Sequence, residues 1–199
     1  MNEFQVNQPS TLRERLRHDT RTQHERFDSA MSALDIGTED GLGDFLSVQY
    51  DALATLASAD GDDRAEAEDI RAELMAALAA DLEALGRPTG LSSTRSTLKA
   101  DPTAVLYILL GSRLGTQVLA RTWTRTATGA ALNAGRYLTL DSRKDAWRGF
   151  CARTGDTPSR GVKADLVVAD AIAIFDHYLT VLSDTTARTA PVHLRSANG

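Results

Sequence analysis

Cysteine is almost absent. Cys151 stands alone in 199 residues, which excludes an internal disulfide, a Cys-x-x-Cys redox pair and a thiolate metal cluster. The single thiol reads as a small buried hydrophobe. Positive charge is scarce too: 22 Lys and Arg stand against 27 Asp and Glu, for a formal net charge of -5, so no nucleic-acid partner is expected. The opening Met1-Asn2-Glu3 carries neither a basic n-region nor an apolar h-region, and the longest apolar run, residues 104–110, is too short to cross a bilayer. A cytoplasmic, reducing location without a membrane partner is the expectation. Strand-like alternation and a strand-turn-helix phosphate loop are missing, as are a Gly-x-Ser-x-Gly elbow and Glu-x-x-His pairs. The last two absences remove α/β-hydrolase and di-iron carboxylate chemistry.

Helical periodicity is what remains, and it predicts an all-α, single-domain bundle of about six helices. Residues 1–9 carry no period and read as a flexible arm, after which Ser10 or Thr11 caps a helix with Leu12, Leu16, Phe27, Met31 and Leu34 on one stripe, ending near Gly37. Further helices are expected over 39–58 and 64–85, the latter stopped by Gly86 and Pro88. After a Ser/Thr-rich connection, Asp101 and Pro102 mark a helix start that should carry to about residue 125. Residues 126–140 read as a loop. Ser142 with Asp145 suggests a capping box before a short helix holding Trp147 and Phe150, and a final helix is expected over 158–184 before a flexible tail, 185–199. The domain proper is thus 10–184, and a monomer is the default.

Two places in this pattern call for a reason beyond packing. Gly111 and Gly115 fall inside the helix that begins at Asp101, on one face, and each interior glycine costs about 1 kcal/mol against alanine. Bare backbone at that spacing accommodates either a close helix crossing or a flat ligand. The second place is His24. At 100° per residue it lies with Thr20 along the edge of the first apolar stripe, whereas His18 lies opposite. A histidine there is either a satisfied structural residue or a metal ligand. Arg17 precedes it on nearly the same face with Arg21 beside them, and the two are either a solvated flank or partners for an anionic ligand.

Leu16-Arg17-His18-Asp19-Thr20-Arg21-Thr22-Gln23-His24 resembles the proximal-helix motif of haem oxygenases, with His24 at the place of the iron-ligating histidine. Gly111-Ser112-Arg113-Leu114-Gly115-Thr116-Gln117-Val118-Leu119 is similar to their distal helix. The likeness continues through Trp147-Arg148 to Ala171-Ile172-Ala173-Ile174-Phe175, and it is nearest to compact bacterial members, some of which supply bilin to phytochromes.

The resemblance implies a helical bundle with haem sandwiched between a proximal and a distal helix, and oxidative cleavage of haem to biliverdin, CO and ferrous iron with O2 and external electrons. His24 would be the metal ligand. Gly111, Ser112 and Gly115 would form the catalytic face, and Arg17, Arg21, Lys144 and Arg148 would meet the propionates. The implied partners are a ferredoxin or flavin reductase as electron donor and a phytochrome as bilin acceptor. Asp28 falls where relatives keep an acidic residue. Two departures stand out: Ser112 replaces a common aspartate, and Thr116 replaces a common glycine, which should narrow the distal side. Arg113 is either a distal hydrogen-bond donor or a surface arginine. The alternatives are a haem- or bilin-binding protein of the same fold without turnover, and a purely helical interaction scaffold.

Overall fold

The computed structural model describes residues 8–89 and 96–189. Its described part is built mainly of α-helices: α1 (Leu12–Asp19), α2 (Arg21–Ser32), α3 (Glu39–Ala54), α4 (Arg64–Ala84), α5 (Pro102–Thr126), α6 (Arg136–Thr139), α7 (Lys144–Gly155) and α8 (Val162–Thr189). α8 is the central post, with α1, α2, α3 and α5 packed against it, while α4 packs on α3 and α5. Val167, Ala171, Ile174 and Val181 are fully buried along α8, facing Leu16, Leu46, Leu53 and Leu106 in one continuous apolar core.

Local chemistry explains the ends. The Thr11 hydroxyl accepts from the Glu14 amide at 3.2 Å while Glu14 accepts from the Thr11 amide at 3.3 Å, a reciprocal cap that starts α1. Asp101 accepts from the Thr103 amide at 2.9 Å and Pro102 occupies the first turn of α5, as the sequence predicts.

Several expectations need correction. The first helix is not continuous: Thr20 separates α1 from α2, with its hydroxyl bonded back to the Leu16 carbonyl at 2.7 Å. That bond competes with the helical ladder and bends it. β1 (Leu56–Ser58) and β2 (Leu98–Ala100) pair in parallel, and three residues each is too short for alternation to be legible. The expected loop of 126–140 holds a 3-10 turn (Gly129–Asn133) and α6. The Ser142 capping box does not form, because Arg143 sits left-handed at φ 49° and starts α7 itself, with the Ser142 hydroxyl turned to Asp141. α8 runs beyond the expected end and buries Thr185, and the last two residues of the expected arm are tied down, with the Ser159 hydroxyl donating to the Pro9 carbonyl at 2.8 Å. Residues 1–7, 90–95 and 190–199 lie outside the described part. Finally, α5 and most of α8 are long and apolar enough to span a bilayer by length and composition, although no seven-residue run suggests it; 44% of each apolar window is buried in this fold.

Asp81 is the most consequential buried charge. Fully buried on α4, it accepts the Arg136 amide at 3.0 Å and the Tyr137 amide at 2.8 Å, holding the start of α6. Burial pushes its carboxyl above the usual aspartate range against the pull of those two donors. With the folded value raised, its stabilising contribution is complete below the ordinary aspartate range and is lost as pH rises through the folded value. Asp81→Ala leaves two buried N–H groups without an acceptor, so thermal unfolding should show a loss of about 2 kcal/mol. An unchanged melting temperature would remove Asp81 from the fold's support.

Candidate functional site

The face of α1 and α2 that carries Leu16, Arg17, Thr20 and His24 turns towards α5 and α8, and the opposite face carries Arg15, His18 and Thr22. His24 is about half exposed, its side chain at 54%, yet it is held from two sides. Its Nδ1 lies 3.1 Å from Asp28 Oδ2, one turn later on α2, and its ring stands edge-on to Phe175 of α8, with centroids 5.6 Å apart. Phe27 packs between Phe175 and Tyr178, so the imidazole rests on an aromatic base. Asp28 lies at Nδ1, which leaves Nε2 as the ring nitrogen available to a ligand.

α5 divides sharply into two faces. Leu106, Leu109, Leu110, Arg113 and Thr116 are buried, whereas Ser112, Gly115 and Val118 are exposed, Val118 at 62%, with Gly111 half-buried beside them. Other glycines of this chain have evident packing reasons. A Cβ on Gly41 would meet the Asp35 carbonyl oxygen at 2.2 Å, one on Gly43 the Arg87 guanidinium at 2.1 Å and one on Gly135 the Trp123 ring at 2.4 Å. At Gly115 nothing lies within 4 Å, and at Gly111 only the Trp147 ring edge does, at 3.8 Å. Among the described residues no other helix brings its backbone within 4 Å of either position, so the close-crossing account of this pair fails. Gly149 on α7 is similarly roomy, near only the tip of Arg153; Gly111 and Gly115 differ in being two on one helix face.

Two ties join the walls. At one end the Tyr107 hydroxyl lies 3.3 Å from Thr20 Oγ1, and because Thr20 donates to Leu16, Tyr107 is the donor. At the other, the Thr128 amide donates to the Gly37 carbonyl at 3.1 Å. The contacts occur in the same order along both segments, so α2 and α5 run in the same direction. His24 lies four residues past Thr20 and Gly111 four past Tyr107, which places them level, about 6 Å along from the first tie. Both walls rest on α8. The two segments are thus tied at both ends, with an imidazole on one and bare backbone on the other, and the space between them is the candidate slot.

The cations gather towards the Thr20–Tyr107 end. Arg17 is near enough to Tyr107 to pull its phenol downward, although burial pushes that phenol up overall. Lys144 and Arg148 flank Trp147, which stands beside Gly111. Arg21 is paired with Glu25 at 2.7 Å and Arg148 with Asp145, while Arg17 and Lys144 make no ion pair among the described residues.

The structure corrects two expectations on α5, for Arg113 and Thr116. Arg113 is neither a distal donor nor a surface arginine: it lies on the helix face opposite the glycines, 1% exposed, donating to the Leu140 carbonyl at 2.8 Å and lying over the Tyr137 ring at 5.2 Å. Thr116 is buried and bonds the Ser112 carbonyl at 2.8 Å, so it narrows nothing on the bare face. The Ser112 hydroxyl is spent on the Leu109 carbonyl at 2.9 Å. Sequence reasoning missed the Tyr107 tie and the Phe175 base, and only the periodicity of their helices hinted at which face they take. Cys151 is buried near Tyr107, as a small hydrophobe would be.

Grooves of about 550 and 520 Å³ lie instead behind α1, against α8 and the Ser159 turn, where Arg15 ties Asp19 and Asp165 together. Salt-bridged walls make them structural seams. No cluster of three or more His, Cys, Asp or Glu suited to a metal ion occurs among the described residues, and the slot offers a lone imidazole. Compared with known proteins, the chain matches no family model and no curated protein.

Proposed function

We propose that this chain is a haem oxygenase, binding haem as substrate in the slot between α2 and α5 and releasing biliverdin, CO and ferrous iron. One observation carries the reading: His24 lies four residues past the Thr20–Tyr107 tie on one segment, and Gly111, the first of two glycines with room around their backbone, lies four residues past it on the other. A planar macrocycle supplies four of its own metal ligands and needs one imidazole from the protein, which is what this wall offers. When bound, haem would bring the iron at which O2 and external electrons meet; the chain's residues hold and orient.

Asp28, its Oδ2 3.1 Å from Nδ1, holds the His24 ring in place from one turn further along α2. Arg17 and Lys144, unpaired among the described residues, take the peripheral carboxylates, and Arg21 and Arg148 can exchange their present carboxylates for them. The backbone at Gly111 and Gly115 lets the distal wall close over the macrocycle and limits water. Asp28→Ala should lower hemin affinity about tenfold in a Soret titration, since the outer partner of a ligating histidine commonly supports that much. An unchanged affinity would leave Asp28 a surface residue.

Binding without turnover is the second reading, and a specific observation favours it: Ser112, the hydroxyl beside Gly111 on the bare face, donates to the Leu109 carbonyl and is not free to deliver a proton directly. Adding a reductase system under air to the hemin-loaded chain separates the two. Decay of the Soret band with appearance of biliverdin supports the enzyme; a Soret band that survives supports the binder. A chain that gives no Soret band with hemin is a helical scaffold, and both haem readings fall.

A further inference from the structure

Among the described residues, Trp147 is the one large side chain placed against the bare face of α5. Its Cζ3 and Cη2 atoms lie 3.8 and 3.9 Å from where a Gly111 Cβ would stand, whereas Gly115, one turn on, has open space around it. The glycine face is therefore bordered at one end and free at the other. The indole is also fixed in place. It stacks on Phe150, with centroids 5.6 Å apart and planes 16° apart, and Phe150 is 1% exposed. Tyr107 flanks the same stack at 6.2 Å from Trp147 and 6.3 Å from Phe150, and is itself tied to Thr20. An indole gripped by a buried ring and a hydrogen-bonded phenol has little freedom to swing aside.

Resting on the proposal that haem lies in this slot, we infer that Trp147 is a specificity-determining stop that fixes the in-plane position of the macrocycle. A flat ring laid on Gly111 and Gly115 abuts the indole at the Gly111 end and extends towards Gly115 and the exposed Val118. Lys144 and Arg148 lie on either side of Trp147 along α7, and Arg17 is near Tyr107, so charge and bulk coincide at that end. Charge alone allows a ring with two carboxylates to pivot among several basic side chains. The rigid edge removes that pivot. Which bridging carbon of the ring lies beside the Gly115 backbone, and so which bond is opened, follows from where the indole stops it.

The test uses the full chain loaded with hemin, unchanged and as Trp147→Ala and Trp147→Phe. In the cyanide complex, proton NMR resolves the haem methyl groups, and each in-plane orientation gives its own set. One dominant set is expected from the unchanged chain, two or more from Trp147→Ala, and a return towards one set from Trp147→Phe, whose ring keeps part of the edge. Chromatography of the bilin product should change in parallel, from one isomer to a mixture. A single unchanged set in Trp147→Ala, with its circular dichroism intact, overturns the inference while the haem proposal stands. Should Trp147→Ala fail to fold, Trp147→Phe decides by itself: a shifted orientation ratio supports the stop and an identical ratio overturns it. Failure of the unchanged chain to take up hemin at all overturns both.

Discussion

Replacing His24 with alanine should cost at least a hundredfold in haem turnover, about 2.7 kcal/mol of transition-state stabilisation, while leaving the fold nearly untouched. The asymmetry follows from what the side chain touches. Its ring is about half exposed and contributes one edge contact to Phe175 and one ion-pair contact to Asp28, both at the rim of the core, so its removal opens no interior cavity. Among the described residues, however, no other imidazole can take its place: His18 lies on the other face of α1, occupied with Asp19 at 2.8 Å, and His177 lies against Thr55 at 2.9 Å on the far part of α8. The Soret maximum of the hemin complex should move, and added imidazole should restore it by entering the gap left above Phe175. His18→Ala is the matched control and should alter neither spectrum nor turnover. If His24→Ala retains the original spectrum and rate, the proximal assignment is wrong.

The glycine face gives the second large effect, and it acts in opposite directions on stability and binding. Because nothing lies within 4 Å of a Cβ at Gly115, Gly115→Ala should stabilise the apoprotein by about 1 kcal/mol through the backbone freedom that glycine otherwise loses. For a chain of this size that is a rise of about 3 °C in melting temperature. Gly115→Leu should keep the helix too, since the surrounding space is empty, yet fill the slot and lower hemin affinity at least a hundredfold. At Gly111 the leucine must also contend with Trp147, so Gly111→Leu should block hemin with a small loss of stability rather than a gain. Full-strength hemin binding by Gly115→Leu, with helical circular dichroism preserved, would refute the distal-wall assignment. A helix that tolerates side chains better without its ligand than with it carries its glycines for the ligand's sake.

Much of this site is legible in the order of residues alone, because it rests on local chemistry. Asp101 and Pro102 place the start of α5, and 100° steps then fix Gly111 and Gly115 on one side and His24 and Arg17 on another. What the sequence conceals depends on distant partners. The break at Thr20 has its cause in the Thr20 hydroxyl, but the Tyr107 that meets it lies 87 residues away. Arg113 looks like a surface residue until Leu140 and Tyr137 arrive to take its charge, and the Asp81 carboxylate is explained only by the amides of α6. Ser142 and Asp145 spell a cap that Arg143, in its left-handed conformation, prevents. Spacing reveals faces; partners decide which of them stay open.

The ties at the two ends of the slot also govern when it comes into being. Thr20 with Tyr107, and Gly37 with Thr128, join residues 87 and 91 positions apart, so each closes a long loop of chain. Closing such loops costs entropy that local helix formation does not, and it comes late. On refolding, helical signal should therefore return well before the capacity to capture hemin. During synthesis, neither wall can serve until the second has left the ribosome and found the first. On the proposal that haem lies there, hemin uptake would report completion of the long-range fold, and a fragment ending short of α5 should take up none.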